Sequence, residues 1–188
     1  NVSAVATLLP TVLRKKSALI ISIGAFVDEA FTVRMKEKAA RYSHQLLLPS
    51  GAIGGLDLIQ HTANTNTLES VTLETRKPAY TLTEDQLEKE KVIFNDSAKE
   101  AIKQFPKNIN VAIALGLAGI GMERTNVRII ADPTIERNMH TITATGTFGK
   151  VHFHVENAPM PTNANTSYLA ALSVIGTLKK SHQAFQLG

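Results

Sequence analysis

With 188 residues, of which 44% are hydrophobic and 19% charged, the chain can bury a core of its own, which excludes an intrinsically disordered protein. The formal net charge of +4 is spread over helix faces that also carry Glu, so the sequence predicts no nucleic-acid partner. The lack of cysteine excludes disulfides and thiolate catalysis and fits a cytoplasmic protein. The longest apolar run, 111–122, is shorter than the about 20 residues that are needed to cross a membrane.

The first part of the chain alternates helices with short apolar strands. Helical spacing of apolar residues predicts helices at 2–13 and 28–42, and continuous apolar runs predict buried strands at 18–23 and 45–48. This order with short links indicates a parallel sheet covered by helices, as in half of a nucleotide-binding domain. Because the chain starts at Asn1 without a methionine, we expect a further segment upstream.

A glycine-rich turn at 50–55 follows the second predicted strand and precedes a helix predicted at 56–63. Gly51, Gly54 and Gly55 allow a ligand to approach the main chain, and a helix N-terminus directs N–H groups at a negative or polar group. A structural tight turn explains the same residues, and the chain lacks the G-x-G-x-x-G fingerprint of dinucleotide sites. The turn by itself leaves both interpretations open.

The rest of the chain mixes strands and helices. The patterns predict an alternating strand at 67–76 and a short strand at 92–94. A helix follows that is capped by Ser97, with Glu100 completing a capping box, and that ends near Phe105; a small-residue helix then opens at 108–110. Further strands are predicted at 127–131, 139–147 and 151–156, and an amphipathic helix at 166–180. The predicted fold class is α/β, with a doubly wound half followed by a mixed α/β domain.

His140 is the histidine best placed for chemistry, because it lies between a polar turn and a predicted strand. An imidazole accepts and returns a proton near neutral pH, although a structural histidine fits the pattern equally and is the commoner case. We expect Asp132 or Glu136 to orient the ring. His152 and His154 share one strand face, but no third ligand stands at a suitable spacing, so no metal site is predicted.

Two asparagines, Asn108 and Asn110, stand at the start of the small-residue helix. A side-chain amide or carboxylate at this place commonly caps the helix, which predicts that role for one of them. The other is then a candidate for contact with a ligand amide or ribose.

Six segments resemble the L-aspartate dehydrogenase family in their order and spacing. They are SIGAF (22–26), LPSGAIGGLD (48–57), FPKNINVA (105–112), IIADPTIERNMH (129–140), VEN-P (155–159) and N-NTSYLAALS (163–173). The resemblance implies an NAD(P)-dependent amino-acid dehydrogenase of the homoserine-dehydrogenase-like architecture, without the N-terminal part of its Rossmann domain.

The resemblance also implies an organisation into three parts. Residues 1–50 are the remaining portion of a Rossmann-like, dinucleotide-binding domain with a parallel sheet. Residues 51–165 form a mixed α/β catalytic and dimerisation domain. Residues 166–188 form a C-terminal helix that packs back on the nucleotide-binding half.

The same resemblance assigns site residues. It gives catalysis to His140 and contacts with NAD or NADP to Ala52 and Asn110, to which we add Gly24 and Ala25 after the first predicted strand. Candidates for the two substrate carboxylates are the N–H groups near Ser50 and Gly51 and the cations of Lys107 and Arg137.

The implied reaction is oxidation of L-aspartate to iminoaspartate, which hydrolyses to oxaloacetate and ammonia or feeds NAD biosynthesis. The resemblance also implies a homodimer, and it leaves the choice between NAD and NADP open. Two other hypotheses about the function remain open. The chain is a non-catalytic remnant that dimerises or binds a ligand, or it is a dehydrogenase that acts on homoserine or another amino acid.

Overall fold

The computed structural model describes residues 1–105 and 109–185. Its helices are α1 (Val2–Val12), α2 (Glu29–Arg41), α3 (Leu56–Asn64), α4 (Ala98–Gln104), α5 (Asn110–Ala118) and α6 (Tyr168–Lys180), with 3-10 helices at Ile23–Val27 and Ala79–Thr81. Its strands are β1 (Ala18–Leu19), β2 (Leu46–Leu47), β3 (Leu68–Pro78), β4 (Lys91–Ser97), β5 (Thr125–Asp132), β6 (Met139–Gly146), β7 (Gly149–Glu156), β8 (Pro159–Met160) and β9 (Asn163–Ser167). The predicted α/β class is confirmed.

The first two helices form where their sequence patterns predict them, and each has a side-chain cap. The Asn1 side chain accepts from the Ala4 N–H, and the Asp28 carboxylate accepts from the Phe31 N–H, both at 2.9 Å. Each cap satisfies a donor that the helix leaves free at its N-terminus. On α2 the buried face is formed by Phe31, Met35 and Ala39 together with Thr32, whereas Ala30 is exposed.

The two strands of the first part are parallel, as predicted, but shorter than predicted. Ala18 is in register with Leu46 and Leu19 with Leu47. The prediction of a buried strand at 18–23 is wrong beyond Leu19, because the chain then turns into a 3-10 helix and Ile21 is 64% exposed. A short apolar run does not distinguish extended from helical backbone, so its length is a poor guide to pairing.

The second sheet has the strand order β4-β5-β3-β6-β7 across the described residues, with β3 and β5 parallel and the other pairs antiparallel. Helices α3, α4 and α5 contact one face of it. Val71 and Leu73 of β3 are each 1% exposed on that inner face, which confirms the predicted alternation. The sheet therefore has one apolar face beneath helices and one polar face.

The outer face carries the polar half of the alternation. Glu74 forms ion pairs with Arg76 of the same strand and with Arg128 of β5, each at 2.9 Å. Arg76 also bonds Asp132 at 3.1 Å. Because these two strands are paired in register, the outer charges of β3 and β5 neutralise one another along the sheet.

Two local predictions are corrected by long-range and turn structure. Ser97 caps α4 by accepting from the Glu100 N–H at 3.3 Å, but the Ser97 N–H donates to Asp96 at 2.6 Å, so the reciprocal half of the capping box is not made. The antiparallel pair β8–β9 was not predicted, and the last helix begins at Tyr168 with Ser167 as its cap. Within the described residues, every helix is too short or too polar to cross a membrane.

Candidate active site

His140 is the second residue of β6 and lies directly opposite Thr75 of β3 in the antiparallel register. Its Nδ1 and the Thr75 hydroxyl oxygen are 3.0 Å apart, and the residue is 8% exposed. Cross-strand neighbours on one face stand close enough for short side chains to bond, which is why the register determines this contact. The sequence pattern identified His140 as a candidate, but it did not identify Thr75, which lies 65 residues earlier in the chain.

The environment of His140 holds the imidazole neutral. Burial, with a smaller contribution from the positive charge of Lys77, lowers the pKa of His140 to about 4. A neutral imidazole has one donor and one acceptor nitrogen. When Nδ1 donates to the Thr75 oxygen, Nε2 is the acceptor, which is the arrangement that a proton-accepting base requires.

The expected partners of the ring are corrected by the structure. The Asp132 carboxylate accepts from the N–H and the hydroxyl of Thr134, at 2.9 and 2.7 Å, and from Arg76 on the outer face. These bonds lower the pKa of Asp132. Glu136 is exposed in the turn before β6. The ring is therefore held by a hydroxyl and not by a carboxylate.

Lys77 lies on the same inner face as Thr75, two residues further along β3. Thr75 and Lys77 line a small cavity together with Ile109 and Ala112 from the start of α5. Burial lowers the pKa of Lys77. Lys77 was not among the site residues predicted from the sequence, although it follows Leu73 and Thr75 in the alternation of β3, which places it on the inner face.

The start of α5 borders this cavity through Ile109 and Ala112. Asn110 is the first helical residue and is exposed, and Ile109 occupies the capping position. The prediction that one asparagine caps the helix is therefore not met by Asn110, whose side chain is available at the helix end. Asn108 and the predicted substrate cation Lys107 lie outside the described residues.

One buried residue, Asn157, connects the glycine turn to the start of β6 and to the cap of α6. Asn157 is 6% exposed and donates from its side-chain amide to the Ala52 carbonyl at 3.2 Å. Its backbone N–H donates to the Asn138 carbonyl at 2.9 Å, and its side-chain oxygen accepts from the Ser167 hydroxyl. Asn157 thus connects Ala52 to the strand that carries His140. The motif VEN-P contained this residue, but the pattern gave it no role.

The turn leaves open space beside its backbone. Gly51 has a φ of +71°, and neither Gly51 nor Gly54 has another described atom within 4 Å of the place where a Cβ would stand. A flat ligand can therefore approach the main chain there. The Gly51 N–H donates to the Ser173 hydroxyl at 3.1 Å, so that donor is already engaged, and Ser50 is half-buried.

Gly24 and Ala25 lie in the 3-10 helix that follows β1, as the glycine turn follows β2. Because β1 and β2 are parallel, both loops leave the same end of the sheet, where α/β proteins bind nucleotides. A Cβ on Gly24 would stand 2.6 Å from the end of the Val2 side chain on α1, so packing also requires a small residue here.

The other sequence candidates lie apart from this region. His152 and His154 bond Thr143 and Thr141 across β6 and β7 and are exposed, and in the described part of the chain no three His, Cys, Asp or Glu side chains are grouped to hold a metal. A larger cavity of about 720 Å³ is bordered by β2, α2, α5 and the end of α6. Its lining includes Ser50 but not Thr75, Lys77 or His140, so it is a separate space.

Comparisons with known proteins agree on one family. The family model described as aspartate dehydrogenase, C-terminal, matches residues 57–181. The L-aspartate dehydrogenase of Methanosarcina barkeri is 45% identical over 98% of this chain and 72% of its own length, and that of Methanopyrus kandleri is 36% identical over 100% and 71%. The crystal structure of aspartate dehydrogenase from Thermotoga maritima superposes with a TM-score of 0.85 at 33% identity, covering 100% of this chain and 75% of that one.

Proposed function

The chain belongs to the aspartate dehydrogenase family, and from that premise we propose that it catalyses the NAD(P)-dependent oxidation of L-aspartate to iminoaspartate, which is hydrolysed to oxaloacetate and ammonia. The observation that carries the proposal is the buried, neutral His140, held by Thr75 beside Lys77 at the start of α5. A neutral base next to a cation suits a substrate that carries an ammonium group and two carboxylates.

In this proposal His140 is the proton acceptor of the site. The amino group of aspartate must lose its proton before its nitrogen can form the imine, and a neutral imidazole with one accepting nitrogen takes that proton. The hydroxyl of Thr75 keeps the ring in place, and in the tautomer whose Nδ1 donates to it Nε2 is left to accept the proton. The same imidazole can activate the water that hydrolyses the imine.

The cofactor proposal rests on the fit of the glycine turn and the loop after β1. The open backbone side at Gly51 and Gly54, next to Ala52, accommodates a flat ring, and Asn110 at the tip of α5 offers an amide to it. Gly24 and Ala25 line the same end of the parallel strands. The nicotinamide dinucleotide, NAD or NADP, supplies the hydride acceptor when bound.

The test is steady-state turnover by the purified chain, with aspartate and either dinucleotide, and in reverse with oxaloacetate, ammonia and the reduced form. We expect His140→Asn to lower kcat/KM by at least about 100-fold, the usual contribution of a proton-transferring side chain. His61→Asn, an exposed histidine of α3, is the matched control and should leave turnover unchanged.

Three outcomes contradict the proposal. Unchanged turnover in His140→Asn removes the assigned base. A chain that binds dinucleotide without turnover is a ligand-binding remnant. A chain that prefers homoserine or aspartate semialdehyde over aspartate is a dehydrogenase with another substrate.

We also propose that iminoaspartate feeds NAD biosynthesis.

A further proposal concerns assembly: two copies associate through the outer face of the five-stranded sheet. In support of the dimer, helices cover the inner face, whereas the outer face of β6 and β7 presents half-buried threonines and exposed histidines. Thr143→Arg, in the middle of β6, should yield a monomer in sedimentation equilibrium, whereas Glu37→Arg on α2 should not. A monomeric unsubstituted chain would contradict the dimer.

A further inference from the structure

Lys77 is set apart from the other described cations of the sheet by what surrounds it. It is the last residue but one of β3, on the inner face, in register with Ala131 of β5, which is 0% exposed. The small alanine leaves room beside the lysine for another group. Thr75, two residues back on the same face, carries the bond to His140.

The contrast with its neighbour Arg76 shows what Lys77 lacks. Arg76 points to the outer face and forms ion pairs with Glu74, Glu90 and Asp132. Within 1–105 and 109–185, no carboxylate oxygen comes within 4.0 Å of the Lys77 ammonium, and burial alone accounts for its lowered pKa. A partly desolvated ammonium without a counterion is unfavourable until an anion binds to it.

The position of Lys77 relative to His140 indicates which anion that is. Lys77 lies two residues from Thr75 on the inner face of β3, and Thr75 stands opposite His140 and bonds its ring, so the ammonium and the imidazole share this end of the inner face. A ligand whose amino group faces His140 therefore brings its nearby carboxylate toward Lys77. We propose that the Lys77 ammonium is a substrate-binding group that anchors a carboxylate of the dicarboxylate substrate; the identity of that substrate rests on the proposed function.

This assignment has a consequence for His140. A carboxylate bound to Lys77 neutralises the charge that disfavours the imidazolium, so the imidazole becomes a stronger base when substrate is present. The free site thus holds a weak base, and the occupied site holds one whose pKa is closer to the operating pH, which is where general bases are most effective.

The experiment compares Lys77→Met and Lys77→Arg with Lys15→Met, a control at an exposed lysine in the turn after α1. Kinetics with aspartate are combined with calorimetric titration of succinate, a dicarboxylate that lacks the amino group and does not react. We expect Lys77→Met to raise the KM for aspartate about 30-fold and to weaken succinate equally, with a much smaller change in kcat, because a charge-assisted bond to a carboxylate is lost. Lys77→Arg should recover part of the affinity, and Lys15→Met should match the unsubstituted chain.

Folding is checked by thermal unfolding of each variant. Because an unpaired, partly buried ammonium does not stabilise the fold, Lys77→Met should unfold at or above the temperature of the unsubstituted chain. If that variant does not fold, Lys77→Gln and the salt dependence of succinate affinity in the unsubstituted chain replace it, and an affinity insensitive to salt overturns the assignment.

The outcomes for Lys77 and for the proposed function are separable. Unchanged KM and succinate affinity in Lys77→Met, in a chain that turns over aspartate, overturn the assignment of Lys77 alone. A fall in kcat with unchanged KM also overturns it, since it indicates proton transfer by the lysine instead of anchoring. Loss of succinate binding in Lys77→Met, in a chain that does not oxidise aspartate, supports the anion site and contradicts the proposed reaction.

Discussion

Thr75 Oγ1 lies 3.0 Å from His140 Nδ1, across two antiparallel strands whose register places the two residues face to face. The outer face of the same sheet repeats the arrangement, with Thr141 Oγ1 at 2.9 Å from His154 Nδ1. One pair is buried beneath α5 and the other is exposed to solvent, so the chain contains a natural control for what burial adds to a threonine–histidine bond.

The first prediction uses this pair. Thr75→Val keeps the shape of the side chain and removes the bond that orients His140, so we expect kcat to fall about 10-fold, the effect of losing one neutral hydrogen bond of about 1.4 kcal/mol from the transition state. Thr141→Val should leave kcat unchanged. Steady-state kinetics of both variants check this, and equal effects would indicate that the Thr75 bond has no catalytic role.

The second prediction concerns stability against pH. In the unfolded chain the pKa of His140 is near 6.5, and in the folded chain it is about 4, so the unfolded state binds more protons between these values. Stability should therefore be constant above pH about 6.5 and fall as the pH is lowered to about 4, by about 3 kcal/mol from this residue. Urea unfolding at successive pH values measures the fall, and subtracting the curve of His140→Gln isolates it. A difference between the two curves that does not depend on pH would contradict the lowered pKa.

The third prediction links Lys77 to the titration of His140. Because the positive charge of Lys77 lowers the pKa of the imidazole, Lys77→Met should raise that pKa, while burial keeps it below the ordinary value. NMR titration of the ring proton of His140 measures the change, with the exposed His152 as an internal reference. Saturating succinate should raise the pKa in the unsubstituted chain but not in Lys77→Met. An unchanged pKa in both experiments would place Lys77 too far from His140 to act with it.

The sequence patterns were sufficient to predict those elements that are stabilised by contacts between residues close together in the chain. The caps at Asp28 and Ser97 mark the starts of α2 and α4, because a capping side chain bonds a backbone group only two or three residues away. The alternation of β3 likewise follows from residues two apart that share a face. The same alternation would have placed Lys77 on the inner face, because it lies two residues after Thr75.

Contacts between distant segments were beyond the sequence patterns. Nothing near Thr75 indicates that it lies opposite His140, since the register arises when β6 returns antiparallel to β3. The parallel neighbour of β3 is β5, and β4 lies outside it, an order that no periodicity encodes. The pairing of Asn157 with Ala52 spans 105 residues and depends on both sheets being in place. Candidate residues are thus visible in the sequence, whereas their partners require the fold.

The fourth prediction tests Asn157 as the connection between the glycine turn and β6. Asn157→Ala removes the donor to the Ala52 carbonyl and the acceptor of the Ser167 hydroxyl, so we expect a loss of about 2 kcal/mol in the free energy of unfolding. Affinity for the dinucleotide should fall as well, because the turn loses its fixed position. Urea unfolding and fluorescence titration measure the two effects. Asn126→Ala, which removes an exposed amide pair with Asn95, is the control; unchanged dinucleotide affinity in Asn157→Ala would separate the turn from the cofactor site.

The fifth prediction distinguishes two glycines of the same turn. Both Gly51 and Gly55 have positive φ, +71° and +76°, so alanine is strained at either by about 1 kcal/mol. A Cβ on Gly55 would also stand 2.5 Å from the Phe153 ring of β7, whereas none of the described atoms lies within 4 Å of a Cβ on Gly51. We therefore expect Gly55→Ala to lower the free energy of unfolding by about 3 kcal/mol and Gly51→Ala by about 1 kcal/mol. Because the open side of Gly51 is the proposed cofactor site, Gly51→Ala should lower the free energy of dinucleotide binding by more than it lowers the free energy of unfolding. Binding and unfolding calorimetry of both variants measure these two losses. Equal destabilisation by both substitutions would show that Phe153 moves aside without cost.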